Sequence, residues 1–533
     1  MTFSKDQSVT IIGSGPAGTS AAFPLVEAGI NVKMIEAGSV SNTPEYASIP
    51  TLCAFRSGFV RTPEYVQKIN LRALDESFSS FSPKLRVVSE LKKFSNYLSH
   101  NSIKTNCFKA IGILDPGGLS NFWGAVVDIF DDEDLACPVL RSKDLLPSYI
   151  SVAHRIGISG ILERPKSFNE WAKIPLMAPI PLSPIAQYLH DQYQNHGPEK
   201  LSLSGVQNAI LTEDKESRSA CDLGGTCHWG CQRKSIYNSR YDVDRLLQHD
   251  NFILHDNTLV TEISCKGTGY ELELMIEGNN EPDIITATTV ILAAGTIPTS
   301  KMVLKLQERY DQSIPLQTTP SFSFALWVPR KFGTRLSERS FGLSQLSFRA
   351  PISNRSGDTA VGLLYDAAGI PAADIIAHMP LTRPGAIDAY RLLSSSLMFG
   401  MVYLPGEYSL NTARLQQDEN TKKNAKLIIK GEQSQLFPRA VQKIMKQLRQ
   451  QFFGIGGFVL PGSMKIHPSG SDIHYGSTFP IGKDISAVGE ITGYPGLYIA
   501  DGAGLPRMPS KHPTFTIMAN ADRIGRYISN YIG

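Results

Sequence analysis

Val9-Thr-Ile-Ile-Gly13-Ser-Gly15-Pro-Ala17-Gly18 is the stretch on which the reading of the fold turns. A short apolar, β-branched run reads as a buried strand, and G-x-G-x-x-G follows it directly, ahead of an Ala-rich segment from Thr19 to Ala28 that reads as a helix. In such a turn Gly13 permits the tight bend, Gly15 lets a pyrophosphate approach the backbone and Gly18 lets helix and strand pack closely. The free N–H groups at the helix start then face the phosphates. A second apolar run, Val32 to Ile35, delivers Glu36 eighteen positions after Gly18. A carboxylate there accepts the ribose hydroxyls of an adenosine and disfavours a 2′-phosphate. The glycines alone would be an ordinary Gly-rich turn; strand, helix and acid in register predict a dinucleotide site, a fingerprint that FAD and NAD share.

Further apolar runs that read as buried parallel strands lie far downstream, at Thr289 to Ala293 and Leu497 to Ala500. If they join the first two, the sheet is assembled from distant parts of the chain, and the expected fold class is α/β (α+β overall). That means a discontinuous Rossmann-like domain over 1–45, 105–130, 205–300 and 471–533. A substrate-binding domain with insertions is expected over 46–104, 131–204 and 301–470. Within the latter, Ser321 to Val328 and Leu343 to Phe348 alternate with the period of half-buried antiparallel strands. Arg439 to Phe453 has apolar residues at helical spacing among Lys, Arg and Gln and predicts an amphipathic helix.

Composition bounds the function. The 533 residues are 42% hydrophobic and 19% charged, enough for a large core in two or more units. Lys+Arg of 52 against Asp+Glu of 49 is too near balance to argue for nucleic acid or an anionic membrane. Met1 to Ser8 lacks the parts of a signal peptide and no run of about 18 apolar residues occurs, so the expectation is a cytoplasmic protein without a membrane span. Seven cysteines without a signal argue for thiols or metal ligands over a disulfide framework.

The C-terminal segment Leu497-Tyr-Ile-Ala-Asp501-Gly502-Ala-Gly-Leu-Pro506, followed by Ser510-Lys-His512-Pro513-Thr514, resembles the closing signature of the glucose-methanol-choline (GMC) oxidoreductases. His474-Tyr-Gly-Ser-Thr-Phe-Pro-Ile-Gly482 is similar to that family's His-x-x-Gly-Thr-x-x-Met-Gly element, with Ser477 for Gly and Ile481 for Met; His467-Pro-Ser-Gly is a nearby competitor. Gly117-Gly118-Leu-Ser120-Asn121-Phe-Trp123-Gly124 resembles the loop that approaches the flavin ring. Val290-Ile-Leu-Ala-Ala294-Gly295 resembles the strand-turn beside the ADP half, and Val260 falls where the family's backbone meets adenine. The resemblance implies non-covalent FAD and oxidation of an alcohol by hydride transfer. It also implies that His474 is the base and that His512 positions the hydroxyl or shares the proton. The chemistry explains the need: hydride leaves an alcohol carbon only as the hydroxyl loses a proton, and imidazole suits that near neutral pH.

The resemblance to sugar-oxidising members implies a sugar, amino sugar or cyclitol as substrate, with Trp327, Tyr365, Phe399 and Tyr403 available for stacking. A sterol or other lipid alcohol is an alternative, as is a flavoprotein lyase on the same scaffold or a flavoprotein without catalysis. The electron acceptor stays open among oxygen, a quinone, a cytochrome and other carriers. Cys221, Cys227 and Cys231, at C-x5-C-x3-C spacing, can bind a metal. They resemble both the [3Fe-4S]-bearing element of membrane-associated sugar dehydrogenases and a Cys-rich element of other GMC-like proteins. Zinc with His228 is the weaker option, since His228 adjoins Cys227.

Overall fold

The computed structural model describes residues 8–40, 91–161, 171–197, 201–228, 230–279, 281–355, 357–367, 369–370, 372–377, 379–418 and 421–532. Much of the 46–104 piece of the expected substrate domain therefore lies outside the described residues. The strand Ser8–Ile12 pairs in parallel with Asn31–Ile35 on one side and Thr289–Leu292 on the other. Leu497–Ile499 and Phe252–His255 close the two edges, giving a five-stranded parallel sheet. Four of these strands are the apolar runs read from the sequence. The fifth, Phe252–His255, has only three apolar residues before an exposed histidine.

The first helix, Pro16–Glu27, starts at Gly15 with proline at its first positions, where a missing N–H costs nothing. It packs on the closing helix, Thr514–Ile532, and Ala21, Ala22, Ala521 and Ile524 are buried there without exposed surface. Gly13 has a φ of +100°, and a Cβ on it would stand 2.5 Å from the carbonyl oxygen of Ala293; a Cβ on Gly18 would stand 1.9 Å from the carbonyl oxygen of Gly13. Turn and helix can meet the sheet this closely only without side chains. A three-stranded antiparallel sheet, Thr258–Lys266, Gly269–Ile276 and Asp283–Ala287, links the fifth strand to Thr289–Leu292.

The larger sheet has seven strands, with Ser321–Trp327, Leu397–Tyr403, Thr359–Asp366 and Ser344–Pro351 antiparallel at its centre. One face packs on the amphipathic helix Phe437–Gly454 through Phe324, Phe348 and Phe452, all fully buried. A four-stranded sheet combines Ser313–Pro315, Thr412–Asp418, Thr421–Lys430 and Ile103–Asn106. Among the described residues, no helix is long and apolar enough to cross a membrane.

Candidate active site

One cavity of about 1550 Å³ runs from the Gly-rich turn to the seven-stranded sheet. It exceeds the few hundred to about 1000 Å³ that hold a drug-sized ligand, so it has room for an extended cofactor and a second molecule. Gly13, Gly15, Ala17, Glu36, Gly118, Ser120, Trp123, Gly124, Val260, Ala294, Gly295, Asp501, Gly502, Pro513 and Thr514 all line it, together with His474 and His512. Gly18 and Asn121 stand behind the wall. Gly18 packs on the turn, and the Asn121 amide is bonded to the carbonyls of Pro116 and Gly118 and to Asn238.

The glycine cradle fits a phosphate-bearing ligand. Cβ atoms placed on Gly15, Gly124 or Gly295 would meet no atom within 4 Å, so these backbones border open space. The helices that begin after Gly15 and Gly295 have no side-chain cap, which leaves N–H groups at their starts for an anion. Glu36 is held by the Ser14 hydroxyl and the N–H groups of Ser14 and Gly38; its oxygens keep further lone pairs for a ribose. Burial raises its carboxyl above the usual range, against those donors. Asp501 accepts from Gly295 N, Thr299 Oγ1 and Ala503 N, tying the closing strand to the helix after Gly295, and burial pushes it up to about 6. The indole N–H of Trp123 donates to the carbonyl of Tyr237 at 2.7 Å, so its ring is fixed against the cavity.

At the other end the rings of His474 and His512 meet edge to face, their centroids 5.4 Å apart, and Tyr403 stands 5.2 Å from each. His512 is placed by the turn that opens the closing helix. The preceding Lys511 is buried on Asp131, Asp134 and the carbonyl of Ile129, which pins that turn to the segment after Trp123. His512 Nδ1 lies 3.0 Å from Asp128 Oδ2, the same oxygen that accepts the His512 backbone N–H at 3.3 Å. Arg349 stands 3.7 Å from the other carboxylate oxygen. His474 Nδ1 lies 2.8 Å from Thr319 Oγ1, and Thr319 donates from its backbone N–H and its hydroxyl to Asp472. Burial, with His512 acting the same way, pushes His474 down to about 3. Burial pushes Asp472 up to about 7.

Asp128, Thr319 and Asp472 escape sequence reading. No motif marks Asp128, which is 384 positions from the histidine it holds, and Thr319 is 155 positions from His474. The spacing Asp472-x-His474 was the one local signal available. His467, the competitor, also lines the cavity and is pushed down to about 4 by burial. Of the four aromatics expected in the substrate domain, Tyr365, Phe399 and Tyr403 reach the cavity; Trp327 packs on Phe458 instead.

Cys221, Cys227 and Cys231 are in no disulfide, and among the described residues no group of three His, Cys, Asp or Glu side chains is arranged to hold a metal ion. The expected iron–sulfur centre thus finds no ligand geometry. The spacing places the three thiols on one loop, but that loop folds around its own backbone contacts, such as Cys221 N to the carbonyl of Leu211. Burial also raises the Cys221 thiol, against the thiolate that a cluster requires.

No family model and no curated protein sequence matches the chain. Solved structures do match over its full length. Pyridoxine 4-oxidase from Mesorbium loti superposes with a TM-score of 0.58 at 13% identity, covering 98% of this chain and 99% of that one. An FAD-dependent oxidoreductase from Chaetomium thermophilum gives 0.56 at 14%, with 98% and 99% covered. A fungal aryl-alcohol oxidase gives 0.57 at 13%, with 99% and 100% covered. The chain has the fold of these proteins.

Proposed function

We propose that this chain is an FAD-dependent oxidoreductase of the GMC type that oxidises an alcohol group, with His474 and His512 acting on the hydroxyl. The observation that carries the reading is that two facing imidazoles, His512 buried and His474 half-buried, share one cavity with a glycine cradle suited to a dinucleotide. The sequence motifs point the same way, and the neighbours in fold include two oxidases, one of them of aryl alcohols.

A bound flavin supplies the acceptor for the hydride that leaves the alcohol carbon. The chain must do the rest. Gly15 and the two uncapped helix starts would hold the phosphates, while Glu36 and Val260 would receive the adenosine end. Burial favours the neutral form of His474, so its ring keeps a lone pair to accept the hydroxyl proton. His512, tethered by Asp128, holds its ring edge toward the same oxygen and orients it. Tyr403 packs on both rings and limits their rotation, and its own hydroxyl is kept neutral by burial.

The pocket wall favours an apolar alcohol over a polyol. The seven-stranded sheet contributes Leu363, Leu397 and Phe399, and the neighbouring helices add Ile375 and Leu393. A sugar brings several hydroxyls, each costly to bury without a partner. The aromatic or aliphatic body of a bulkier alcohol would instead gain from this surface. Ser323, Ser463 and Lys465 also line the cavity, and a sugar or cyclitol is the alternative.

The test is the absorption spectrum of anaerobically purified protein before and after addition of alcohols. The panel should hold aromatic, long-chain and polycyclic alcohols beside sugars and aminocyclitols. Flavin bands that bleach with the apolar set are expected. Bleaching with the sugars alone would return the substrate to the polyol class. A yellow protein that no alcohol reduces would favour the lyase, and a colourless one that does not take up FAD would end the flavoenzyme reading.

A further inference from the structure

Thr319 has one hydroxyl hydrogen and two neighbours that compete for it, Asp472 Oδ2 at 3.1 Å and His474 Nδ1 at 2.8 Å. Asp472 Oδ2 already accepts the backbone N–H of Thr319 at 2.8 Å. An oxygen that accepts an N–H stays an acceptor in either protonation state, because a proton on the carboxyl would go to the other oxygen. The hydroxyl hydrogen therefore points to Asp472. Thr319 Oγ1 then turns its lone pairs to His474, and Nδ1 must bring the hydrogen of that contact itself. Thr319 is fully buried and Asp472 nearly so, which leaves water little room to substitute for either partner.

We propose that Thr319 and Asp472 form a positioning relay that fixes His474 as the tautomer with hydrogen on Nδ1, leaving Nε2 bare to take the alcohol proton. Neither residue touches the reacting atoms; both act through His474. The inference deepens the alcohol-oxidation reading and rests on it for the purpose of the tautomer, though not for its existence. His512 also engages through Nδ1, here directly with Asp128. The two imidazoles are thus held at Nδ1 by different routes, one through a hydroxyl and one by a carboxylate.

The relay makes a prediction that separates it from simple packing. Thr319→Val keeps the shape and removes the hydroxyl; Thr319→Ser keeps the hydroxyl and removes a methyl. In Asp472→Asn the backbone N–H of Thr319 still demands an acceptor, so the amide presents its oxygen there and the hydroxyl keeps its direction. The measurement is long-range 1H–15N NMR on the purified flavoprotein carrying ring-15N histidine. The His474 signals are identified among the 11 histidines by their loss in His474→Gln.

The expected result is an Nδ1–H tautomer in the wild type, in Thr319→Ser and in Asp472→Asn, and a shift to Nε2–H or a mixture in Thr319→Val. Alcohol-driven flavin reduction should fall in Thr319→Val by on the order of tenfold or more and recover in Thr319→Ser, with KM little changed. An Nε2–H tautomer in the wild type, or an unchanged tautomer in Thr319→Val, would overturn the relay. Failure of every alcohol to reduce the wild type would overturn the proposed activity instead, and the NMR result would still decide the relay.

Discussion

Asp128 Oδ2 accepts both from the ring of His512 at 3.0 Å and from its backbone N–H at 3.3 Å, so one carboxylate oxygen fixes the position and the rotation of that side chain together. Both residues are buried, and Arg349 at 3.7 Å partly balances the charge. In Asp128→Asn the backbone N–H again selects the amide oxygen, so the ring keeps its tautomer and loses only the neighbouring charge. Flavin reduction at saturating alcohol should fall by about ten- to a hundredfold, the worth of a hydrogen bond to a charged group, with flavin content unchanged. Rapid-mixing spectrophotometry of variant and wild type checks this.

Removing the base should cost more. His474→Ala is expected to slow flavin reduction by about 10²- to 10⁴-fold while leaving the flavin spectrum in place. Reduction at the wild-type rate would show that another group takes the proton.

The glycines of the turn should separate by substitution. Gly13→Ala places a side chain at a φ of +100° and 2.5 Å from the Ala293 oxygen, and should destabilise the fold by about 1–3 kcal/mol. Gly15→Ala meets no protein atom and has a φ of −65°, so the protein without flavin should melt as the wild type does. Its methyl occupies cofactor space, and FAD affinity should fall. Thermal melts with and without added FAD read both effects.

Asp472 ties stability to pH. Burial raises its carboxyl from the ordinary 3.8 to about 7. The folded state therefore holds a proton that the unfolded chain has already released, and the stability linked to it is complete below about pH 4 and lost as pH rises through about 7. Asp472→Asn has no such loss. The melting temperature of the variant relative to the wild type should rise between pH 4 and pH 7 and level off above, whatever its offset. A constant or falling difference would contradict the raised carboxyl.

Iron analysis should find none in stoichiometric amount, since no three-ligand group is arranged for a metal among the described residues. Replacing Cys221, Cys227 and Cys231 together by serine should leave the visible spectrum unchanged. Broad absorption beyond the flavin bands that vanishes in this variant would restore the cluster.

Local chemistry made much of this protein legible from sequence. The Gly-rich turn and Glu36 are readable because strand, turn and helix are contiguous, and a backbone that must bend and pack closely tolerates only certain residues at each step. The runs at 32–35, 289–293 and 497–500 could be read because strands mostly buried on both faces are largely apolar, Lys33 and Thr289 aside. The edge strand Phe252–His255 was not read, since its apolar run is only three residues long and Ile253 and Leu254 are half-buried. His474 and His512 stood out through motif resemblance, each on its own short segment.

The partners of those histidines were decided by the tertiary structure. Asp128 meets His512 across 384 positions, and Thr319 meets His474 across 155, because a parallel sheet assembled from distant segments and an antiparallel sheet packed beside it bring their loops to one cavity. The same is true of the cysteines: their spacing is compatible with a metal, and whether three thiols converge depends on backbone turns that spacing does not specify. Sequence determines which side chains are available and the local bends that hold them; burial, tautomer and charge belong to neighbours that only folding supplies.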